Sequence, residues 1–325
     1  MGRERLQTAA LRVLAPIAYP GAVSHPTPAL RVLVFGEQRS GTTLLSEVLQ
    51  AQPGVVVLAR QQLAPMLYSA FRELGLRADQ LLGARQQHVL RRKAGLPEGV
   101  QADTVDGVHR AVLADARAHS DQHAAHVLHG PIEAVEGLLQ SPDVRCLALV
   151  RDARDVILSR AYRGEQRLDE ALLAWKATSA RLHALRDHAR LEVLRFEDLI
   201  TEPDRELGRV AALLELASPL ALPAADAEGR PTLQNSSFAL LERAFDPSAV
   251  ERWRAHMDNR AVRYAQWLCE RELRAWGYAI DPELQPSPRE RVRFLRRRAV
   301  VEALELPRRA KNAVLARALP SLLDE

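Results

Sequence analysis

The sequence is poor in the residues on which several classes of protein depend. It holds 2 cysteines, Cys146 and Cys269, too few for a disulfide framework, and both lie in apolar segments. We therefore expect buried thiols in a reducing compartment, the cytoplasm. Neither the cysteines nor the histidines show the spacing of a metal site, so no bound metal is predicted.

Lysine and the aromatic residues are scarce as well. Aromatic side chains make up 5% of the chain, and no recognised nucleic-acid-binding motif occurs, so nucleic acid is not expected as a partner. Arginine supplies nearly all of the positive charge, because the only lysines are Lys93, Lys176 and Lys311. The formal net charge of +4 suits an anionic ligand.

Long apolar runs are also missing. The N-terminal lead, residues 1–29, is interrupted by Arg12 and Pro16 and is too broken to span a membrane. A signal peptide is disfavoured, because the charged start is mixed in sign. Residues 281–325 form a basic, partly amphipathic extension. We expect solvated terminal helices there, or a helix that contacts a partner protein or an anionic membrane surface.

Between these ends, short apolar strands alternate with helices. Strand-like runs occur at Arg31–Phe35, Val55–Leu58, Ala125–Leu128, Cys146–Val150 and Leu191–Arg195. Helical periodicity marks Thr43–Gln50, Asp155–Tyr162, Leu168–Asp187 and Arg205–Leu216. The alternation predicts an α/β domain over residues 30–280, with a central parallel sheet between two layers of helices. The polar segment 72–110 is expected to be a helical insertion or a lid over the site.

The stretch Phe35–Leu45, FGEQRSGTTLL, has the outline of a phosphate-binding loop without its lysine. A helix N-terminus that follows a strand binds anions through backbone N–H groups and the helix dipole. Gly41 allows the backbone to approach a ligand closely. Thr42 and Thr43 are expected to cap the helix and to donate hydroxyls to phosphate, while Arg39 supplies the cation. A capped strand–helix turn without a ligand is the alternative.

A second strand–helix junction carries another candidate anion site. The run RCLALVRDARDVILSRAY places Arg151 at a strand end and Ser159 eight residues later, about one turn into the next helix. An arginine and a hydroxyl on adjoining elements can bind a second phosphate. Alternatively, Arg151 and Asp152 form an ion pair that closes a turn.

Together, the two segments resemble the nucleotide motifs of sulfotransferases that use 3′-phosphoadenosine 5′-phosphosulfate (PAPS). The family's lysine- or arginine-Ser-Gly-Thr-Thr loop, which binds the 5′-phosphosulfate, is matched by Arg39, Ser40, Gly41, Thr42 and Thr43. Its RDPRDVxxS pattern, which binds the 3′-phosphate, is matched by Arg151 and Ser159, with Ala153 in place of the proline.

The resemblance implies a P-loop NTPase-like sulfotransferase fold that carries a sulfuryl group from PAPS to an acceptor hydroxyl without a metal. The product would be adenosine 3′,5′-bisphosphate (PAP), and the acceptor a carbohydrate, lipid, natural product or peptide tyrosine. In the simplest case the acceptor is a small molecule or a glycan, and the sequence does not specify it more closely. The sequence does not specify the oligomeric state either.

Two further segments extend the resemblance. LEVLRFEDLITEP is similar to the family's RYEDL segment, with Phe196 for tyrosine, and Glu197 or Asp198 is expected to cap a helix there. NSSFALLERAF is similar to a late serine-containing segment, so Ser236 or Ser237 is a candidate contact for the donor phosphates or a helix N-cap.

The residue that takes the acceptor proton is the least evident part of the pattern. Tyrosylprotein-type members carry a glutamate after the second strand, where residues 59–62 hold no carboxylate. Members with lysine-x-proline after the third strand use that lysine on the leaving group, and His129 stands in its place as a base, a protonated donor or a structural residue. Weaker candidates are Glu133, His88, His109 and Asp106. Arg39 is expected to stabilise charge on the transferring group.

Two other functions stay open at this point. A degenerate sulfotransferase fold would bind nucleotide or a partner without catalysis. A small-molecule kinase with a variant loop would need the missing lysine and a carboxylate pair for magnesium, which is not evident near the loop.

Overall fold

The structure is a computed structural model of the 325-residue chain. It describes residues 30–53, 55–58, 64–94, 102–116, 123–128, 132–164, 167–216, 220, 245–301 and 303. The predictions for residues 1–29, 59–62, His129, Ser236, Ser237 and most of the basic tail lie outside the described residues.

Five strands form one sheet, and every neighbouring pair runs parallel. They are β1 (Arg31–Gly36), β2 (Val55–Leu58), β3 (His123–Leu128), β4 (Val144–Val150) and β5 (Leu191–Arg195). Their order across the sheet is β2-β3-β1-β4-β5, so β1 is central. The predicted strands and the α/β fold class are confirmed; β3 and β4 each begin two residues earlier than predicted.

Helices cover both faces of this sheet. They are α1 (Thr42–Gln50), α2 (Ala64–Leu67), α3 (Ala84–Ala94), α4 (Val105–Ala116), α5 (Ile132–Leu138), α6 (Ala153–Ala161), α7 (Leu168–Leu185), α8 (Phe196–Thr201), α9 (Pro203–Leu213), α10 (Trp253–His256) and α11 (Asn259–Ala275). A π-helical segment, Tyr68–Glu73, follows α2, and a 3₁₀ turn, Pro247–Ala249, precedes α10. Residues 288–301 are also helical. Among the helices that the structure describes, none is long and apolar enough to cross a bilayer.

Side-chain alternation along β1 divides the core into two layers. Leu33 and Phe35 enter a cluster that includes α3 to α7 and α11, whereas Val32 and Val34 enter a cluster that includes α1, α8 and α9. Successive residues of a strand point to opposite faces, so a strand between two helical layers must be apolar at every position. This explains why β1 reads RVLVFG without polar alternation.

The segment 72–110 packs onto the first of these layers. Leu76, Leu82, Leu90 and Val105 are buried in the same cluster as Phe35 of β1. The segment therefore contributes to the core of the domain. Its role as a lid over the site stays a prediction.

A buried polar cluster lies at the amino-terminal edge of the sheet. Arg31, fully buried at the start of β1, donates hydrogen bonds to Asp143 (both 2.8 Å) and Asp106 (2.7 Å), and it lies 3.0 Å from Nδ1 of His109. At about 3.3 Å per residue, β1 places this edge roughly 20 Å from the loop that follows the strand. His109 and Asp106 are therefore not candidates for the catalytic base.

The same cluster makes the stability of the fold sensitive to acid. His126 is fully buried beside His109, and neither of its ring nitrogens has a hydrogen-bond partner in the described part of the chain. Burial lowers the pKa of His126 from 6.5 to about 4. Between these two pH values the imidazole is protonated in the unfolded chain and neutral in the folded chain. The free energy of unfolding should therefore fall as the pH drops from 6.5 towards 4, by on the order of 3 kcal/mol.

Urea titrations at several pH values measure this loss. His126→Phe should remove the share that belongs to His126, because phenylalanine fills the same space and these ring nitrogens make no hydrogen bonds within the described residues; the share of His109, whose pKa burial also lowers, should remain. His88→Phe, at an exposed histidine of α3, is the control and should behave like the wild type. An equal acid slope in His126→Phe and the wild type would contradict the assignment to His126.

Candidate functional site

The segment between β1 and α1 is a tight loop at the carboxyl end of the central strand. The backbone N–H of Ser40 donates to the carbonyl oxygen of Glu37 (3.1 Å), and the Ser40 hydroxyl donates to the same oxygen (2.6 Å). Arg39 and Gly41 have positive φ angles of 75° and 102°. Helix α1 begins at once, with Gly41 as its N-cap and no side-chain cap.

The predicted capping by Thr42 and Thr43 is therefore wrong. Both threonines lie inside the first turn of α1, where their hydroxyls are past the capping position. The first N–H groups of a helix lack intrahelical partners, so the loop brings the N-terminal donors of α1 to the end of β1. This is the geometry by which helix N-termini bind phosphate and sulfate.

Two glycines of the loop lie against neighbouring atoms. A Cβ atom on Gly41 would lie 2.5 Å from Cδ2 of Phe196, and one on Gly36 would lie 2.5 Å from Oγ of Ser40 and 3.0 Å from the carbonyl oxygen of Leu149. Contacts below 3.0 Å force a shift of one of the two groups. The loop can hold this shape only with glycine at both positions.

Arg151 stands at the end of the neighbouring strand β4 and clamps the loop. Its Nη1 donates to the carbonyl oxygen of Arg39 (3.2 Å) and its Nη2 to that of Ala249 (2.7 Å). The guanidinium lies over the ring of Phe196, with Cζ 4.2 Å from the centroid. Its Nε is buried and has no hydrogen-bond partner within the described residues, which makes it an orphaned donor that an anion would satisfy.

The ion pair between Arg151 and Asp152, the alternative to an anion site, is not formed. Asp152 instead pairs with Arg154 (2.6 Å) and caps α6 by accepting from the Arg154 backbone N–H (2.8 Å). The carboxylate that approaches Arg151 is that of Asp155, at 3.9 Å. Asp155 also accepts from the backbone N–H of Trp253 (2.9 Å), and burial raises its pKa to about 6.

The two motifs meet across the loop. Nε of Arg39 donates to Oγ of Ser159 at 3.0 Å, so the loop cation and the hydroxyl of α6 are in direct contact. Ser159 is buried at the seventh position of α6, which is about two turns into the helix, where one turn was predicted. The helix begins at Ala153, earlier than the periodicity suggested.

A carboxylate of the loop was not recognised from the sequence. Glu37, partly exposed, accepts a hydrogen bond from Oγ1 of Thr178 on α7 (2.7 Å). Burial raises the pKa of Glu37, while Thr178 and the charges of Arg160 and Arg72 lower it. The sequence did hold a signal for Glu37. Side chains alternate between the two faces of a strand, so Glu37 falls on the same face of the sheet as Leu33 and Phe35.

Glu197 was expected to cap a helix, but it does not cap α8. The N-cap is Arg195 and makes no side-chain capping bond. The Glu197 side chain turns inward, where it accepts from the backbone N–H of Asp152 (3.0 Å) and from the hydroxyl of Tyr278 (2.8 Å). Burial raises its pKa to about 7. Glu197 thereby joins the start of α8 to Asp152, the residue that follows Arg151.

The remaining predicted residues are placed as follows. Glu133 pairs with Arg181 of α7 (2.5 Å), and His88 is exposed on α3. Trp253 is buried, as expected for a core residue. His129, Ser236 and Ser237 lie outside the described residues, and in the described part no group of acidic, histidine or cysteine side chains could hold a metal.

Comparison with known proteins identifies the family of this chain. A family model described as the sulfotransferase family matches residues 31–219, which contain both motifs. This span exceeds half of the chain, so the chain belongs to the sulfotransferase family. No curated protein sequence matches the chain.

One of the solved structures that the chain resembles supports its fold. The chain is similar to the sulfotransferase domain of the Synechococcus PCC 7002 olefin synthase, with 16% identity, a TM-score of 0.53 and coverage of 79% of this chain and 98% of that one. The sulfotransferase domain of the curacin biosynthetic pathway has 16% identity, a TM-score of 0.48 and coverage of 78% and 99%. Mouse sulfotransferase SULT7A1, solved with PAP, has 12% identity, a TM-score of 0.45 and coverage of 75% and 84%. At these identities the first likeness supports the fold alone.

Proposed function

We propose that this protein transfers a sulfuryl group from PAPS to an acceptor hydroxyl. The observation that carries the proposal is the 3.0 Å contact between Arg39 of the loop and Ser159 of the second motif, with Arg151 bound to the same loop. Two anion-binding groups thereby stand at the ends of β1 and β4, which are neighbours in the sheet. PAPS carries an anion at each end of its ribose, and this arrangement provides for both.

Each part of the donor has a group that suits it. The N–H groups of residues 41–43 and the guanidinium of Arg39 bind the 5′-phosphosulfate. Ser159 and the buried Nε of Arg151 bind the 3′-phosphate, which replaces the contact between Arg39 and Ser159. Ser236 or Ser237 adds a further hydroxyl.

Transfer is an in-line displacement at sulfur in which negative charge grows on the leaving phosphate. Arg39, the dipole of α1 and the loop N–H groups stabilise that charge, and the proposal therefore needs no metal. His129 is a candidate proton acceptor or donor at the end of β3. A small molecule or a glycan is proposed as the acceptor.

The proposed compartment is the cytoplasm, which the two buried, free thiols of Cys146 and Cys269 support. Contact of the basic tail with a membrane or a partner protein is kept as a proposal. Exposed Val292 and Leu295 on the helix at 288–301 agree with it.

Calorimetric titration with PAP, with ADP and with ATP plus magnesium tests the donor site. PAP alone should bind tightly, because only PAP offers the 3′-phosphate to Arg151 and Ser159. Binding of ATP with magnesium but not of PAP would contradict sulfuryl transfer and favour the small-molecule kinase. If none of the three ligands binds, the result would favour a degenerate sulfotransferase fold that binds a partner without catalysis.

Arg151→Ala should weaken PAP binding by at least about 1.5 kcal/mol, the lower end for a hydrogen bond to a charged group. The same titration measures it. Arg145→Ala is the matched control, because Arg145 lies at the other end of β4 and pairs with Glu215 (3.0 Å). Equal affinities of Arg151→Ala and Arg145→Ala would remove Arg151 from the donor site.

A further inference from the structure

We propose that Glu37 is the general base that takes the proton of the acceptor hydroxyl. The inference rests on the proposed sulfuryl transfer and concerns the residue that the sequence pattern leaves unfilled, since residues 59–62 hold no carboxylate. Glu37 lies on the loop itself, two residues before Arg39.

The position of Glu37 follows from the alternation of β1. Leu33 and Phe35 point to the layer of α6 and α7, and the Glu37 side chain continues on this side to reach Thr178 of α7. Arg39 turns to the same side, where it contacts Ser159 of α6. The carboxylate and the cation proposed for the sulfonate therefore lie on the same face of the sheet, while α1 lies on the opposite face.

One carboxylate oxygen of Glu37 is hydrogen-bonded to Thr178, and the other is proposed to accept the proton. Oε1 accepts from Oγ1 of Thr178 at 2.7 Å, which orients the group, and within the described residues Oε2 accepts no hydrogen bond. The charged groups that act on it are Arg160 of α6 and Arg72 of the π-helical segment. Burial raises the pKa of Glu37 and makes the carboxylate a stronger base, while the hydrogen bond from Thr178 and the charges of these two arginines favour its ionised form.

The other carboxylates near the loop are committed elsewhere. Asp155 is buried, accepts from Trp253 and faces Arg151. Glu197 is buried and accepts from Asp152 and Tyr278. Neither has a solvent-accessible oxygen beside Arg39, whereas Glu37 is partly exposed.

The step balances as follows. The acceptor oxygen forms a bond to sulfur while the bond between sulfur and the bridging oxygen of the 5′-phosphate breaks. The acceptor's proton moves to Oε2 of Glu37, and the electron pair of the broken bond stays on PAP, the leaving group. Glu37 returns the proton to solvent after product release.

Glu37→Gln tests the assignment, because glutamine can still accept the hydrogen bond of Thr178 but cannot take a proton. The donor is PAPS, the probe acceptors are 2-naphthol and water, and the rate is the release of PAP. We expect turnover to fall about 100-fold, the limb of the pH–rate profile below neutrality to disappear, and the Kd for PAP to stay within about threefold. Glu270→Gln, at a partly exposed carboxylate of α11 paired with Arg274, is the control and should keep both rate and profile.

A binding measurement gives a second readout that does not depend on turnover. An ionised carboxylate beside the sulfonate repels it, so Glu37→Gln should tighten PAPS relative to PAP by about threefold. A structural role would weaken both ligands together. Unchanged turnover, pH profile and affinity ratio in Glu37→Gln would overturn the inference, as would transfer of the acidic limb to His129→Ala. Failure of the wild type to bind PAP would instead overturn the proposed function.

Discussion

Gly41→Ala should reduce the affinity for PAP by at least about 100-fold while the sheet stays folded. The residue has a φ of 102°, which side chains with a Cβ rarely adopt, and the new Cβ would lie 2.5 Å from Phe196. Relief requires the loop to move, and this misplaces the N–H groups of the first turn of α1. Calorimetry with PAP measures the loss, and circular dichroism with urea titration measures the fold.

Two variants separate the close contact from the backbone strain. Gly164→Ala has the same unfavourable sign of φ, 75°, but its Cβ would meet nothing within 4 Å, so it should cost stability without changing PAP affinity. Adding Phe196→Leu to Gly41→Ala should recover part of the affinity, because it removes the atom that the new Cβ meets. Tight PAP binding by Gly41→Ala alone would show that the loop N–H groups do not hold the phosphate.

Arg39→Ala should lower turnover by about 100- to 1000-fold, the usual cost of removing a group that stabilises transition-state charge. Arg39 is the cation of the loop and already reaches Ser159 at 3.0 Å. The positive φ of 75° does not complicate the variant, because alanine and arginine both carry a Cβ and bear the same strain. The rate of PAP release from PAPS measures the effect.

Arg39→Lys is the control for charge, since the family resemblance allows either residue at this place in the motif. Its turnover should stay within about tenfold of the wild type, with a loss that reflects the missing bidentate fork. PAPS affinity should fall more than PAP affinity in Arg39→Ala, because only PAPS carries the sulfonate. Wild-type turnover in Arg39→Ala would assign the catalytic charge to another group.

The fold could be predicted because its signals are local. Each strand is a short run of apolar and β-branched residues, and burial between two helical layers requires such a run. Sheet order and register were not predicted, since they depend on which strands meet in space. The two motifs were found for the same reason as the strands, because each is one strand–turn–helix unit contiguous in sequence.

Apart from strand and helix ends that were placed a few residues off, the errors concern side-chain partners. Thr42 and Thr43 were expected to cap α1, but the φ of Gly41 moves the cap onto that glycine. An ion pair of Asp152 with Arg151 was the alternative to an anion site, but Asp152 faces Arg154 instead. In each case several partners of suitable chemistry were near in sequence, and packing decided among them.

By itself, the sequence determined that this protein is a parallel α/β member of the sulfotransferase family, because spacing within contiguous segments specifies strands, turns and anion-binding residue types. Only the tertiary structure decided which atoms share the site. Phe196 lies beneath the loop, Thr178 holds Glu37, and Arg39 reaches Ser159, each across a long stretch of chain. Such contacts depend on which strands are neighbours in the sheet, and no local pattern encodes that order.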